Sequence, residues 1–222
     1  MVYKNRVEAG KLLAKKLKGV KEPLVLAIPR GGVEVAFEIA KKLKCPLDIT
    51  VARKLGAPTN PELAIGAVTA EGDIYLDEDL IGRSKIHHDY IVDVREKEMK
   101  EAQRREKTYR SSKEKSLKGK TVILVDDGLA TGATMEVVVR SVKRKGAKKV
   151  IVAIPVAPQE TVEKFKKIVD EVVVLSIPES FYAIGQFYSD FPQVSDEEVV
   201  DILSKINRGA SGTEKEDKDA KN

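Results

Sequence analysis

The chain has one cysteine, Cys45, and no tryptophan. A lone thiol cannot form an internal disulfide, so a disulfide-stapled secreted domain is excluded and a reducing cytoplasm is the expected compartment. Cys45 precedes Pro46 between a helical and an apolar stretch and reads as a small buried side chain rather than a nucleophile. No apolar run reaches the ~18 residues that a membrane span needs. Met1–Gly10 has no apolar core of a signal peptide. The two histidines, His87 and His88, are adjacent and precede a charged helical stretch; a capping or surface role is expected there, not metal binding or catalysis. No segment is basic enough for a nucleic-acid arm, and none resembles a winged helix or other DNA-reading module.

What is present suits a globular protein with a heavily charged surface. Hydrophobic residues make up 42% of the 222 residues and charged residues 34%. A chain of this size hides roughly 70% of its unfolded surface on folding. The 40 Lys and Arg against 35 Asp and Glu leave a net charge of +5, a mild positive balance that suits a polyanionic small substrate. Residues 1–208 read as one domain. Gly209 to Asn222 contains no aliphatic side chain larger than alanine and reads as a disordered tail. Ser111 to Lys118, polar and rich in Lys and Ser, reads as a loosely ordered connection.

Hydrophobic periodicity alternates between two kinds of segment. Val7–Leu17, Val33–Leu43, Asp89–Arg110, Met135–Lys145 and Val162–Ile168 carry helical spacing. Leu24–Ile28, Leu47–Ala52, Leu63–Thr69, Thr121–Val125, Lys149–Ile154 and Val172–Ile177 are short apolar runs, and Ile74–Leu76 reads as an antiparallel edge. This alternation predicts an α/β fold: a doubly wound, mainly parallel sheet covered on both faces. Ile28-Pro29, Ile154-Pro155 and Ile177-Pro178 each predict a strand end, since proline cannot continue a central ladder. Ligands of such folds bind outside the carboxyl ends of the strands, so motifs that follow a strand take priority.

One motif does so with unusual specificity. Thr121 to Met135 reads T-V-I-L-V-D-D-G-L-A-T-G-A-T-M: a buried strand, two acids, a small hydroxyl-bearing turn and a helix start. Asp126 and Asp127 at a strand end can accept hydrogen bonds from a vicinal diol or hold the water shell of a divalent cation. The small residues from Gly128 through Ala130, Thr131, Gly132, Ala133 and Thr134 let backbone N–H groups converge on a phosphate, and the following helix N-terminus adds a favourable dipole. A ribose bearing a 5-phosphate fits this arrangement. An acidic pair after a strand is common by itself, but the full string is not, and it is no Walker loop, because G-x-x-x-x-G-K-[ST] is absent.

Val122–Met135 resembles the ribose-phosphate signature of type I phosphoribosyltransferases, and D-D-x-x-A-T-G-x-T-M is particularly similar to the adenine-using branch. The resemblance implies that Asp126 and Asp127 hold the ribose hydroxyls of 5-phosphoribosyl-1-pyrophosphate and that Ala130 to Thr134 wrap its 5-phosphate. Pro29-Arg-Gly-Gly32 sits where the family keeps its pyrophosphate loop, which implies ligand contacts from Arg30, Gly31 and Gly32 and a cis peptide at Pro29–Arg30. Val51-Ala-Arg-Lys-Leu-Gly56 resembles the family's R-K-x-G, with Arg53 and Lys54 as the basic pair on the pyrophosphate; two solvated cations are the plainer alternative. Ile177-Pro-Glu-Ser-Phe-Tyr-Ala-Ile-Gly185 is similar to the base-binding hood of 6-oxopurine members, where Phe181 or Tyr182 would stack on the acceptor; the plainer alternative packs Phe181, Phe187, Tyr188 and Phe191 into a small core. A hood built partly from 177–208 is therefore expected.

Two departures narrow the acceptor. The 6-oxopurine enzymes carry an acid where this chain has Ala130 and a base-reading lysine where it has Pro155-Val-Ala-Pro158, so hypoxanthine and guanine are expected to be poor acceptors. Tyr109-Arg110 and the polar stretch after them fit either a mobile active-site loop or an exposed linker. The implied activity is transfer of the 5-phosphoribosyl group to a nitrogen acceptor with release of pyrophosphate. Arg53, Lys54, Asp126 and Asp127 are the implied catalytic residues, and Mg2+ is the implied cofactor, held by Asp126 and Asp127 mainly through substrate and water. The alternative is a regulator of the same fold that senses the ligand without catalysis. Small-molecule partners, no nucleic acid, no membrane and a homo-oligomeric assembly are expected.

Overall fold

A computed structural model of the chain describes residues 2–110 and 114–206. The tail expected at 209–222 and the start of the polar connection at 111–113 lie outside the described residues. The first helix, α1, spans Arg6–Lys16 and is capped by the Asn5 side chain, which accepts from the Glu8 N–H. Strand β1 (Pro23–Ala27) leads into α2 (Gly32–Leu43) and returns as β2 (Leu47–Ile49). Strand β6 (Thr121–Val125) leads into α5 (Ala133–Arg144), β7 (Lys149–Val156), α6 (Gln159–Lys166) and β8 (Glu171–Ser176). These five strands form one parallel sheet in the order β2-β1-β6-β7-β8.

The strand pleat explains why β1 and β6 read as continuous apolar runs. Val25, Ala27, Ile123 and Val125 face the core that contains Val33, Ile39 and Leu13 from α2 and α1. Their neighbours Leu24, Leu26, Val122 and Leu124 face the opposite core with Met135, Val139 and Phe165 from α5 and α6. Both faces are therefore buried, and alternation disappears from the sequence. Ile123 is fully buried; burial of such a side chain contributes roughly 2 kcal/mol, and an aspartate there would break the sheet at its centre. The chain winds outward in opposite directions from β1 and β6, so the loops after these two strands leave side by side where the winding reverses, the place where doubly wound sheets bind ligands.

A second, smaller antiparallel sheet packs beside the first, with order β3-β4-β5: β3 (Ala52–Gly56), β4 (Ala64–Thr69) and β5 (Ile74–Leu76). Helices α3 (Glu78–Arg83) and α4 (His88–Tyr109) follow it, and Leu55, Ile65, Val68 and Ile91 form their shared core. The segment Leu47–Ala52, expected as one strand, is split: β2 ends at Ile49 and Ala52 already belongs to the second sheet. Strand β7 is longer than expected and passes through Pro155 to Val156. Proline is tolerated there because β6 has ended its pairing at Val125, opposite Ala153, so no ladder bond is lost on that side; the freed Pro155 carbonyl accepts from the Tyr3 hydroxyl at 2.9 Å. Helix α3 was not expected; it is one and a half turns long, capped by Asp77, and buries no residue. Residues 177–206 supply a 3-10 turn at Ile184–Phe187 and a helix over 196–206. Among the described residues no helix is long and apolar enough to cross a membrane.

Candidate active site

The site begins at the junction of β6 and α5. Gly132, the residue before the helix, has φ +75°, and a Cβ on it would lie 2.5 Å from the Phe165 ring, so both backbone and space demand glycine. No side chain caps α5, and its first-turn N–H groups remain available at the cleft. The turn is held from behind by the Thr161 hydroxyl, which donates to the Ala130 carbonyl at 2.7 Å. Ala130, Thr131, Gly132, Ala133 and Thr134 then line an open cleft of about 170 Å³, together with Asp126, Gly128, Lys54 and Ile184. The sequence-expected phosphate turn, one acid and one cation are thus brought together.

The acidic pair is divided. Asp126 lines the cleft, and its Oδ1 accepts from the Asp127 N–H at 2.8 Å. Burial and the neighbouring Asp127 charge push its carboxyl well above the usual range, outweighing the Asp127 N–H that it accepts and the more distant Arg6 charge. Asp127 is 8% exposed and is not among the residues that line the cleft. Its Oδ2 accepts from Arg6 Nε at 2.7 Å, and its carboxyl is raised by burial against the opposing pull of Arg6.

The Pro29–Arg30 peptide is cis. The glycines after it are packed against the acids: a Cβ on Gly31 would lie 1.9 Å from Asp127 Oδ2, and one on Gly32 would lie 2.9 Å from Asp126 Cα. Close approach is needed here by the protein itself, beside any need of a ligand. Arg30 Nη1 lies 3.6 Å from Asp196 at the start of the C-terminal helix. The basic pair on β3 is split by the pleat, which sends successive side chains to opposite faces. Lys54 reaches the cleft and pairs with Glu62 at 3.0 Å, whereas Arg53 pairs with Glu98 of α4 at 2.7 Å.

Phe181 packs on Phe187 with ring centroids 5.4 Å apart, in a cluster with Tyr3, Tyr188 and Phe191. Tyr182 is 88% exposed. The residue of this segment that lines the cleft is Ile184. Tyr109 is buried, and its hydroxyl donates to Asp196 at 2.5 Å; Arg110 pairs with Asp48 at 3.1 Å, so both are anchored in the fold. His87 and His88 are exposed. Burial pushes the Cys45 thiol up to about 11, which keeps it protonated at neutral pH. The sequence pointed to neither Arg6 nor Ile184: Arg6 lies in no recognisable motif, and within the hood-like segment the aromatics drew the expectation instead of Ile184.

Among the described residues, no three His, Cys, Asp or Glu side chains gather into a metal cage. A single cleft carboxylate, Asp126, fits a cation carried mainly by the oxygens of a ligand.

With this geometry, residues 3–192 match the model of the phosphoribosyl transferase domain, and the chain belongs to that family. It is 41% identical over 210 residues to "Putative phosphoribosyl transferase Rv0571c" of Mycobacterium tuberculosis (strain ATCC 25618 / H37Rv), covering 93% of this chain and 47% of that protein. The chain therefore spans about half the length of the curated relatives it matches. A solved structure, TT1426 from Thermus thermophilus, is 42% identical and superposes with a TM-score of 0.77, covering 91% of this chain and 98% of that one. The fold is that of type I phosphoribosyltransferases: a five-stranded parallel sheet flanked by helices, with a small antiparallel sheet beside it.

Proposed function

We propose that the protein transfers the 5-phosphoribosyl group of 5-phosphoribosyl-1-pyrophosphate to a nitrogen acceptor and releases pyrophosphate. The observation that carries this reading is the convergence in one cleft of the Asp126 carboxylate, the start of α5 and Lys54. The N–H groups and hydroxyls of 130–134 bind the 5-phosphate. Asp126 accepts hydrogen bonds from the ribose hydroxyls, and these donors stabilise the anion that burial disfavours. As the C1–oxygen bond to pyrophosphate stretches, positive charge grows on the ribose and negative charge on the leaving group. Lys54 lies within the cleft to meet that negative charge, and Arg30 can join it by leaving Asp196. The nitrogen lone pair then forms the new C1–N bond. Magnesium, when bound through Asp126, water and the ligand's oxygens, supplies charge neutralisation on the pyrophosphate.

Catalysis in this scheme is positioning and electrostatics. The acceptor is a nitrogen base other than hypoxanthine or guanine, because Ala130 and Pro155 leave the N7 proton and the exocyclic oxygen of a 6-oxopurine without partners; a buried polar edge left unpaired costs ~1–3 kcal/mol. The test is pyrophosphate release with a panel of nucleobases and other amines, run beside Asp126→Asn. Loss of release and of donor binding in a folded Asp126→Asn protein is expected. Undiminished affinity for the magnesium–donor complex in calorimetry would sink the ribose assignment. Donor binding without turnover of any amine would favour a ligand-sensing role.

A further inference from the structure

Asp127 is held by a partner from the far end of the chain. Arg6, in the first turn of α1, is 5% exposed. Its Nε donates to Asp127 Oδ2 at 2.7 Å, its Nη1 donates to the Pro192 carbonyl at 2.8 Å, and the same nitrogen lies 3.5 Å from Glu34 Oε2. The flat guanidinium covers the Phe191 ring at 3.7 Å, and Phe191 stacks on Tyr188 at 4.8 Å. The Tyr188 hydroxyl donates to the Asp127 main-chain carbonyl at 2.7 Å. Gly31 closes the other side, where a Cβ would lie 2.8 Å from Arg6 Nε. Residues from α1, the Pro29–Gly32 turn and the C-terminal segment thus converge on the second acid of the pair.

Such a buried ion pair is a poor device for stability alone, because desolvation of two charges offsets their attraction and apolar replacements often serve as well. It is a good device for fixing geometry, and arginine suits it better than lysine: its planar fork can bond two acceptors while its face lies on an aromatic ring. We propose that Arg6 is a positioning residue that withdraws Asp127 from the cleft and leaves Asp126 as the single carboxylate that meets the ribose hydroxyls. Arg6 touches no ligand. It acts through Asp127, whose main-chain N–H in turn orients Asp126 Oδ1. Without Arg6, two adjacent carboxylates would compete for the same space, and their repulsion would displace the functional one. This inference rests on the ribose role of Asp126 proposed above.

The experiment measures the affinity of the full chain for the magnesium–phosphoribosyl pyrophosphate complex by calorimetry, with thermal melting of each variant. The set is Asp126→Asn, Asp127→Asn, Arg6→Gln, Arg6→Lys and the double variant Arg6→Gln/Asp127→Asn. Arg6→Gln is expected to weaken binding about tenfold, the size of one charge-assisted hydrogen bond, and Arg6→Lys by less. The double variant is expected to bind no more weakly than the weaker single, because both changes act through one contact. Should Arg6→Gln fail to fold, Arg6→Lys carries the same comparison. A lower melting temperature with unchanged affinity in the folded Arg6 variants, or additive losses in the double variant, would overturn the inference. Unchanged affinity in Asp126→Asn would overturn the ribose reading itself; weakened binding there beside unaffected Arg6 variants defeats the positioning role only.

Discussion

The two sides of the cleft offer positive charge by different means. On one side the start of α5 presents backbone N–H groups, fixed by the glycine at 132 and by the Thr161 bond to Ala130. On the other side the positive charge at the cleft is carried by the Lys54 side chain, with Arg30 and Arg53 outside its lining, and all three are already paired with a carboxylate: Lys54 with Glu62 at 3.0 Å, Arg30 with Asp196 at 3.6 Å and Arg53 with Glu98 at 2.7 Å. The backbone side is organised before any ligand arrives. The side-chain side must exchange partners. How easily each cation does so depends on where its partner sits: the Glu62 side chain is 91% exposed and that of Glu98 only 14%. Exposed pairs are worth little, so Lys54 is readily released whereas Arg53 is committed to α4.

The strongest blow to the backbone side is Gly132→Ala. The left-handed backbone costs roughly 1–2 kcal/mol for a residue with a Cβ, and the clash with Phe165 adds about 1–3 kcal/mol. Denaturant melts should show the sum, with donor binding lost in the protein that remains folded; a variant as stable and as tight as the parent would mean that the turn is plastic. Next is Lys54→Met on the opposite side. Pyrophosphate release is expected to fall about a hundredfold, the size of losing one well-placed donor, with the melting temperature unchanged. An unaltered rate would hand its task to Arg30.

Glu98→Gln sharpens the contrast between the cations. Loss of this pair should cost about 1 kcal/mol of stability and alter donor affinity by only a few-fold; marked tightening would mean that Arg53 joins the cleft once freed. The smallest effect on stability is expected for Tyr182→Ala, within ~0.5 kcal/mol because the side chain is exposed. Its acceptor KM is expected to rise while the donor KM stays constant. Phe181→Ala, which loses its packing on Phe187, should cost ~2 kcal/mol. Equal changes in both KM values would remove these aromatics from the acceptor side.

Much of the site was legible because its chemistry is local. The strand, acids, turn and helix start of 121–135 are consecutive, so each physical need appears as a neighbour in sequence. The parallel sheet was legible from its doubly buried strands. What escaped depends on distance or direction. Arg6 lies 121 positions from the acid it holds, in an ordinary amphipathic helix. The division of Arg53 from Lys54 did have a signal: adjacent residues on a strand face opposite ways, but the Leu47–Ala52 run concealed that a new strand starts at Ala52. Pro155 misled because proline forbids only a bond that β7 does not make once β6 has ended. Ile184 gave no sign, since one aliphatic residue in a turn has no periodicity to betray it.

The convergence on Arg6 also sets an order of events during synthesis. Arg6 leaves the ribosome before Pro192, which accepts one of its hydrogen bonds and follows 186 positions later. At ~5–20 residues per second, the guanidinium waits on the order of ten to forty seconds before its last partner emerges. Until then the floor under the acidic pair is incomplete, although β1, β6 and the phosphate turn have all been made. A nascent chain halted before Tyr188 would therefore hold the recognisable motif but not the finished site, and ligand binding becomes a late marker that the two ends of the domain have met.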